Sequence, residues 1–337
     1  MDSLMKRLSE TAGPPGFETQ VRALIREEIA PFVDDLQVDN LGSLIARRGR
    51  RSEASLKIMF AAHMDEAGLM VSHIDAQGFL RFVTLGEFPQ QTTEGSRVQF
   101  LGGQWGLIGA EKTADPGRCP TFDQMFIDSC ASSQQDCLLR VGDVAVLDHP
   151  FMELPDRWIG KALDGRVGVW LIVETLRSLV ENQVRSPHEL YFVFSAQQGV
   201  GSRGAATAAY KIEPDLAVEV GLCASGDTPR GVRTEVACGR GPAIKVRDQA
   251  LVCDPRIVRW MLNTSEAAGI PHQKEISERN YLDINPLQLA RGGVPTGGLS
   301  IPARYLHTGS EMVRLQDVKQ ALRLLVELVH NPLDLGT

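Results

Sequence analysis

Four residues of metal-ligating type each stand at or just beyond an apolar run of this chain. His63 lies in AAHMDEAG (61–68), Asp164 in GKALDGRVG (160–168), Glu219 in LAVEVG (216–221) and His307 in IPARYLHTG (301–309). Imidazoles and carboxylates are hard-to-borderline donors suited to Zn²⁺, Co²⁺ or Mn²⁺. A carboxylate shared between two such ions is how two-metal hydrolases hold them about 3.5–4 Å apart. Glu219 sits inside an apolar strand, where a carboxylate is costly unless it meets a cation or hydrogen-bond donors. Asp65, two residues after His63, reads either as a carboxylate that orients the imidazole or as a solvated turn acid. Asp164 reads as a ligand or simply as a helix cap, and a histidine at a strand end can equally be structural. The segment SAQQGVGSRGA (195–205) ends another apolar run, but it places Gln198 and Gly199 there and offers no carboxylate. His73, His149, His188, His272 and His330 have no comparable setting and are read as structural.

These residues need strands to carry them. In open α/β sheets ligands bind beyond the carboxyl ends of the strands. LKIMFAAH (56–63) is a continuous apolar run of buried-strand length, and HELYFVFSA (188–196), PDLAVEVG (214–221) and GVPTGGLSI (293–301) read the same way. Between them lie helical patterns at 3–12, 18–30, 165–181, 202–212, 254–269 and 315–331, with Asp164 well placed as an N-cap of the third. From 68 to 158 the texture changes to short alternating segments separated by Gly, Pro and polar residues, the signature of a small all-β module. The sequence therefore predicts an α/β fold in two pieces, 1–67 and 159–337, interrupted by a β-barrel insertion at 68–158.

Composition narrows the function. The chain has 337 residues, 43% of them hydrophobic, which is enough for a large core and excludes wholesale disorder. A net charge of −7 without a basic tract argues against nucleic acid as a partner. The six cysteines include no C-x-x-C pair, so a cysteine zinc site is not expected and reduced thiols are. MDSLMKRLSETAG has no apolar signal core and no run reaches membrane-span length, so a cytoplasmic protein with no membrane role is expected.

Several long motifs occur in order: ETAGPPGFE, DNLGSLIARRG, AAHMDEAGLMVSHID, MFIDSCASS, GKALDGRVG, VGSRGA, SGDTP and GGVPTGGLSIPARYLHTGSEM. Together they cover nearly the whole chain, which resembles the glutamyl-aminopeptidase-like metallo-aminopeptidases, a group whose members commonly form tetrahedral dodecamers and are sometimes labelled endoglucanases. The resemblance implies a zinc-exopeptidase-like mixed sheet flanked by helices, with the barrel used in dimer contacts. It implies that His63 binds one metal ion, Asp164 bridges two, Glu219 (where the family usually has Asp) completes the first set, and His307 binds the second ion. Asp65 would support the His63 imidazole or the metal-site geometry. The implied activity is removal of N-terminal residues from peptides by metal-activated water.

The chain departs from that pattern where it matters most. The family's paired acids, a general base and a metal ligand, fall at Gln198 and Gly199. Glutamine cannot take a proton at useful pH, and losing a general base costs about 10²–10⁴ in rate. Glycine ligates nothing, so one zinc or cobalt ion per chain is expected rather than two, held by His63, Asp164 and Glu219. Gly165 also replaces the family's usual Asp or Asn after the bridging acid. The expectation is a divergent member with a degenerate catalytic motif, its peptidase chemistry impaired, with peptides or a small ligand in the cleft, and a homo-oligomer built on dimers, up to a dodecamer. The alternatives are a non-catalytic binding or assembly subunit on the same fold, and a hydrolase of another substrate such as an amide or a glycan. A glycanase would need a carboxylate pair of its own.

Overall fold

A computed structural model describes residues 3–49, 55–112, 117–249, 251–278, 284–331 and 333. Its centre is four parallel strands. Lys57–His63 pairs with Glu189–Ser195 on one side and Leu216–Ala224 on the other, and the latter pairs with Thr296–Arg304. Along these strands residues alternate between two apolar layers. Phe60, Ala62, Phe192, Phe194, Val218 and Val220 face the layer that includes the helix Leu163–Glu181. Met59, Ala61, Val193 and Ala217 face the small-residue helix Arg203–Ile212 on the other side. Continuous apolar runs arise here because both faces of each strand are covered. Further strands, most of them antiparallel, extend the sheet to 11 among the described residues, so it is mixed, with helices on both faces.

The second unit is a closed barrel of strands Gly68–Ile74, Leu80–Leu85, Met125–Asp128, Trp105–Ala110, Arg97–Phe100 and Val144–Leu147, in that spatial order. Its interior is filled by Leu69, Val71, Leu80, Phe82, Val98, Ile108 and Ile127, while Val83, Trp105 and Leu107 face outward. That is the in–out alternation the sequence shows. The chain leaves the barrel before residue 158. Met152–Leu154 and Arg157–Gly160 add two edge strands to the main sheet, and the latter pairs with Glu311–Arg314. Short alternating strands look alike in either setting; only the pairing partner distinguishes them.

Two backbone features position the site. Register aligns Ser195 with His63 across the parallel pair, so both strands end at one level. The helix after Gly160 does not begin on an Asp164 cap. Ala162 (φ 57°) and Gly165 (φ 77°) are both left-handed, and Asp164 between them is extended (φ −60°, ψ 125°). The regular helix starts beyond Gly165, and the Asp164 side chain turns to the strand ends instead.

Candidate active site at the strand ends

His63, the last residue of its strand, is buried, and its Nδ1 lies 3.2 Å from the main-chain oxygen of Asp65. A carbonyl only accepts, so Nδ1 is the donor, and Nε2 is the nitrogen that faces the site. Nε2 lies 3.8 Å from Asp164 Oδ1, and the other carboxylate oxygen, Oδ2, lies 3.3 Å from His307 Nε2. Asp164 thus stands between two imidazoles. His307 itself follows the strand Thr296–Arg304 in a left-handed turn (φ 65°), and its Nδ1 is 3.2 Å from Glu87 Oε2.

Burial disfavours charge on all three groups, but their mutual attraction is larger. Asp164 and Asp65 hold the His63 imidazole well above its ordinary 6.5. Asp164, then Glu87, bring His307 up to about 10 against the effect of burial. His307 and His63 hold Asp164 below the ordinary carboxylate range, again against burial. Burial, with the Asp164 charge second, pushes Glu311 up to about 7. Glu311 spans the cluster from beneath: Oε2 accepts from the Asp164 N–H at 2.9 Å and Oε1 from the His307 N–H at 2.7 Å.

The turn after Ser195 has no acids and is held through its main-chain N–H groups. The Gln197 N–H donates to Glu18 Oε1 at 2.9 Å, and the Gln198 and Gly199 N–H groups donate to the two oxygens of Asp65 at 3.0 Å each. The Asp65 carboxylate therefore braces this turn, and its main-chain oxygen orients His63. Gly199 packs on another glycine: a Cβ there would lie 3.0 Å from Gly86 Cα and 3.1 Å from Pro15 Cγ. An acid at 199 would require the 86–87 loop to move. Gly165 is equally confined. A Cβ on it would stand 2.4 Å from His63 Cε1 and 2.6 Å from the His63 carbonyl oxygen. With His63 where it is, Asp or Asn does not fit at 165.

These residues line a cavity of about 160 Å³ that includes His63, Asp65, Asp164, Gln198, Gly199 and His307. Of the residues picked from sequence, only Glu219 is absent from the lining. It is buried one strand over, in register with Ala61 rather than with His63. The structure adds Glu66, Glu87, Lys161 and Glu311. Glu66, Lys161 and Glu311 sit inside motifs quoted above and were findable there; nothing local marks Glu87, which arrives from the barrel.

Do these residues suit a divalent cation? His63 Nε2 and Asp164 Oδ1 are buried, and neither has a hydrogen-bond partner among the described residues. Two donors about 2 Å from a common tetrahedral ion stand about 3.3–3.4 Å apart, so the pair, 3.8 Å apart, would have to close by a few tenths of an ångström to share one. With that closure the pair fits. Among the described residues, however, no three His, Cys, Asp or Glu side chains converge as a ready-made metal cluster.

The mixed sheet, the inserted barrel and an imidazole–carboxylate cluster at the strand ends define a metallo-exopeptidase class of α/β protein. Residues 42–324 match the model of the M42 glutamyl aminopeptidase family, and the chain belongs to that family. Its members' aminopeptidase activity is generally metal-dependent. A putative aminopeptidase of Acetivibrio thermocellus is 39% identical over 331 residues, which is 98% of each chain. An aminopeptidase of the archaeon Desulfurococcus kamchatkensis superposes with a TM-score of 0.91 at 34% identity, covering 98% of this chain and 94% of that one. The TET1 peptidase of Pyrococcus horikoshii, which can assemble into a tetrahedron or a large octahedral shell, superposes with a TM-score of 0.87 at 27% identity over 97% and 98% of the two chains. No helix among the described residues is long and apolar enough to cross a membrane.

Proposed function

We propose that this chain is a metal-dependent aminopeptidase whose hydrolytic chemistry is weakened at the Gln198–Gly199 turn. One observation carries the reading. His63 Nε2 and Asp164 Oδ1 face each other across 3.8 Å at a cavity wall, buried and without hydrogen-bond partners among the described residues, while the turn beside them presents an amide and a glycine. A single zinc or cobalt ion at His63 and Asp164, with Glu219 as third donor, would supply Lewis acidity toward a peptide carbonyl and a more acidic water. Glu219 must approach from the adjacent strand for this. Asp65 serves the site through structure: it orients His63 and fixes the turn. The Gln198 amide can hold a water by hydrogen bonds but cannot take its proton. Glu311 holds the main chain of Asp164 and His307 in place.

The reading extends to a cytoplasmic homo-oligomer built on barrel contacts, with peptides in the cleft. Its support is the outward Val83, Trp105 and Leu107 on the barrel, six cysteines that are all unbridged, and the assembling structural relatives.

The test couples metal content to turnover. Protein dialysed against Zn²⁺ should retain about one ion per chain and cleave unblocked peptides slowly, with mass spectrometry showing loss of N-terminal residues. Gln198→Glu should raise the rate by about 10²-fold or more. Gly199 stays unchanged in this variant because of its contact with Gly86. Retention of no ion, in wild type and variant alike, would remove the reading and leave a non-catalytic binding subunit.

A further inference from the structure

We propose that Glu87, delivered by the inserted barrel, is the anionic group that receives the N-terminal ammonium of the peptide; this rests on the aminopeptidase reading above. An α-ammonium entering a partly dry cleft needs a negative partner. Like Glu87, the other carboxylates of the cavity have protein partners, but they are buried or nearly so. Asp65 accepts the N–H groups of Gln198 and Gly199, and Glu66 accepts from Lys161 Nζ at 2.6 and 2.9 Å. Glu311 accepts the N–H groups of Asp164 and His307, and Asp164 lies between two imidazoles. Glu87 differs in access. Its side chain is 82% exposed, yet Oε2 reaches to 3.2 Å from His307 Nδ1.

Position agrees with access. In a peptide the amine lies two bonds, about 2.5 Å, from the carbonyl carbon to be attacked. Its partner must therefore stand a few ångströms from the reacting centre. Glu87 is separated from Asp164 by a single imidazole ring, that of His307. A lysine side chain would carry its ammonium much farther out. The approach depends on two glycines. Gly86 (φ 96°) lies against Gly199 and Ala67, so the turn after the barrel strand Leu80–Leu85 comes within a backbone's width of the 197–199 turn and sets Glu87 at the rim.

Binding of a ligand with no bond to cleave separates this proposal from catalysis. Calorimetry on protein purified without chelators would compare leucinol with N-acetyl-leucinol. Wild type should favour the free amine by about tenfold to a hundredfold, the range of a charge-assisted contact. Glu87→Gln should abolish that preference without changing affinity for the acetylated compound, and Glu87→Asp should keep part of it. The thermal midpoint should be the same in all three, since Glu87 is exposed. A preference that survives Glu87→Gln, a wild type without preference, or a wild type that binds neither compound would overturn the proposal. None of these readouts depends on turnover. A chain that hydrolyses nothing but loses its amine preference on Glu87→Gln would sink the catalytic reading alone.

Discussion

Two clusters of charge lie side by side in this molecule and are built from the same two stretches of chain. Residues 63–66 and 161–166 supply His63 and Asp164 to one, and Glu66, Lys161 and Arg166 to the other. In the second, Glu66 accepts from Lys161 Nζ through both oxygens and from the Gly13 N–H at 3.2 Å, and Arg166 Nη1 donates to the carbonyls of Leu8 and Thr11. This ties the N-terminal segment, the barrel junction and the long helix together. In the first, His63 Nε2 and Asp164 Oδ1 face each other with no hydrogen-bond partner among the described residues. Neighbouring buried acids thus serve opposite ends: Glu66 is consumed by structure, while Asp164 is left able to accept a cation.

The largest effect should come from unpairing the closed cluster. Lys161→Met takes away the closest cation of the buried Glu66, leaving it the Gly13 N–H and Arg166 Nη2 at 3.8 Å, and should cost up to about 3–5 kcal/mol in urea unfolding. Asp164→Asn should cost clearly less in the same assay, yet abolish any thermal stabilisation by Zn²⁺. Equal losses of stability in the two variants would erase the distinction between them. Next comes the backbone that separates the clusters. Gly165→Ala combines a left-handed φ of 77° with a Cβ 2.4 Å from His63 Cε1. It should cost about 1–3 kcal/mol and weaken zinc binding as His63 shifts. Gly165→Ala protein that binds zinc as wild type does would show that the His63 position is not critical.

An exposed pair sets the lower end of the scale. Arg304 grips Asp227 with Nε–Oδ1 at 2.9 Å and Nη2–Oδ2 at 2.7 Å. The Arg304 hydrogen bonds bring Asp227 down from 3.8 to about 2, against the effect of burial. A depressed folded pKa means stability that is fully present above pH 3.8 and lost as pH falls through about 2. Asp227→Asn should therefore cost no more than about 1 kcal/mol at pH 7. The gap from wild type should close near pH 2. A gap that persists there would mean that packing, rather than charge, is what the pair contributes.

Much of the scaffold was legible because its causes are local. The unbroken apolar run 57–63 means a strand covered on both faces, and the 68–147 alternation means a barrel wall. His63 and His307 were legible because they close or closely follow such runs. Asp164 reads as a ligand or a helix cap, and the backbone removes the cap; the Ala162–Gly165 distortion that turns its carboxylate to the strand ends has no simple sequence mark, since alanine does not announce a φ of 57°. Asp65 reads as a support for the imidazole or for the site geometry; its main-chain oxygen lies 3.2 Å and its carboxylate 3.7 Å from His63 Nδ1, and the same carboxylate braces the 197–199 turn.

The sequence alone determined the layered sheet, the inserted barrel, the residue types at the strand ends and the absence of an acid at 198–199. Those follow from periodicities of 2 and 3.6 residues and from side-chain identity, which need no partner to be read. Only the tertiary structure decided that Glu66 would be spent on Lys161, that Asp164 would lie between His63 and His307, and that Gly86 would lean on Gly199 and carry Glu87 to the rim. These are matters of register and loop approach at the scale of an ångström, and contacts between distant segments leave no pattern in either segment by itself.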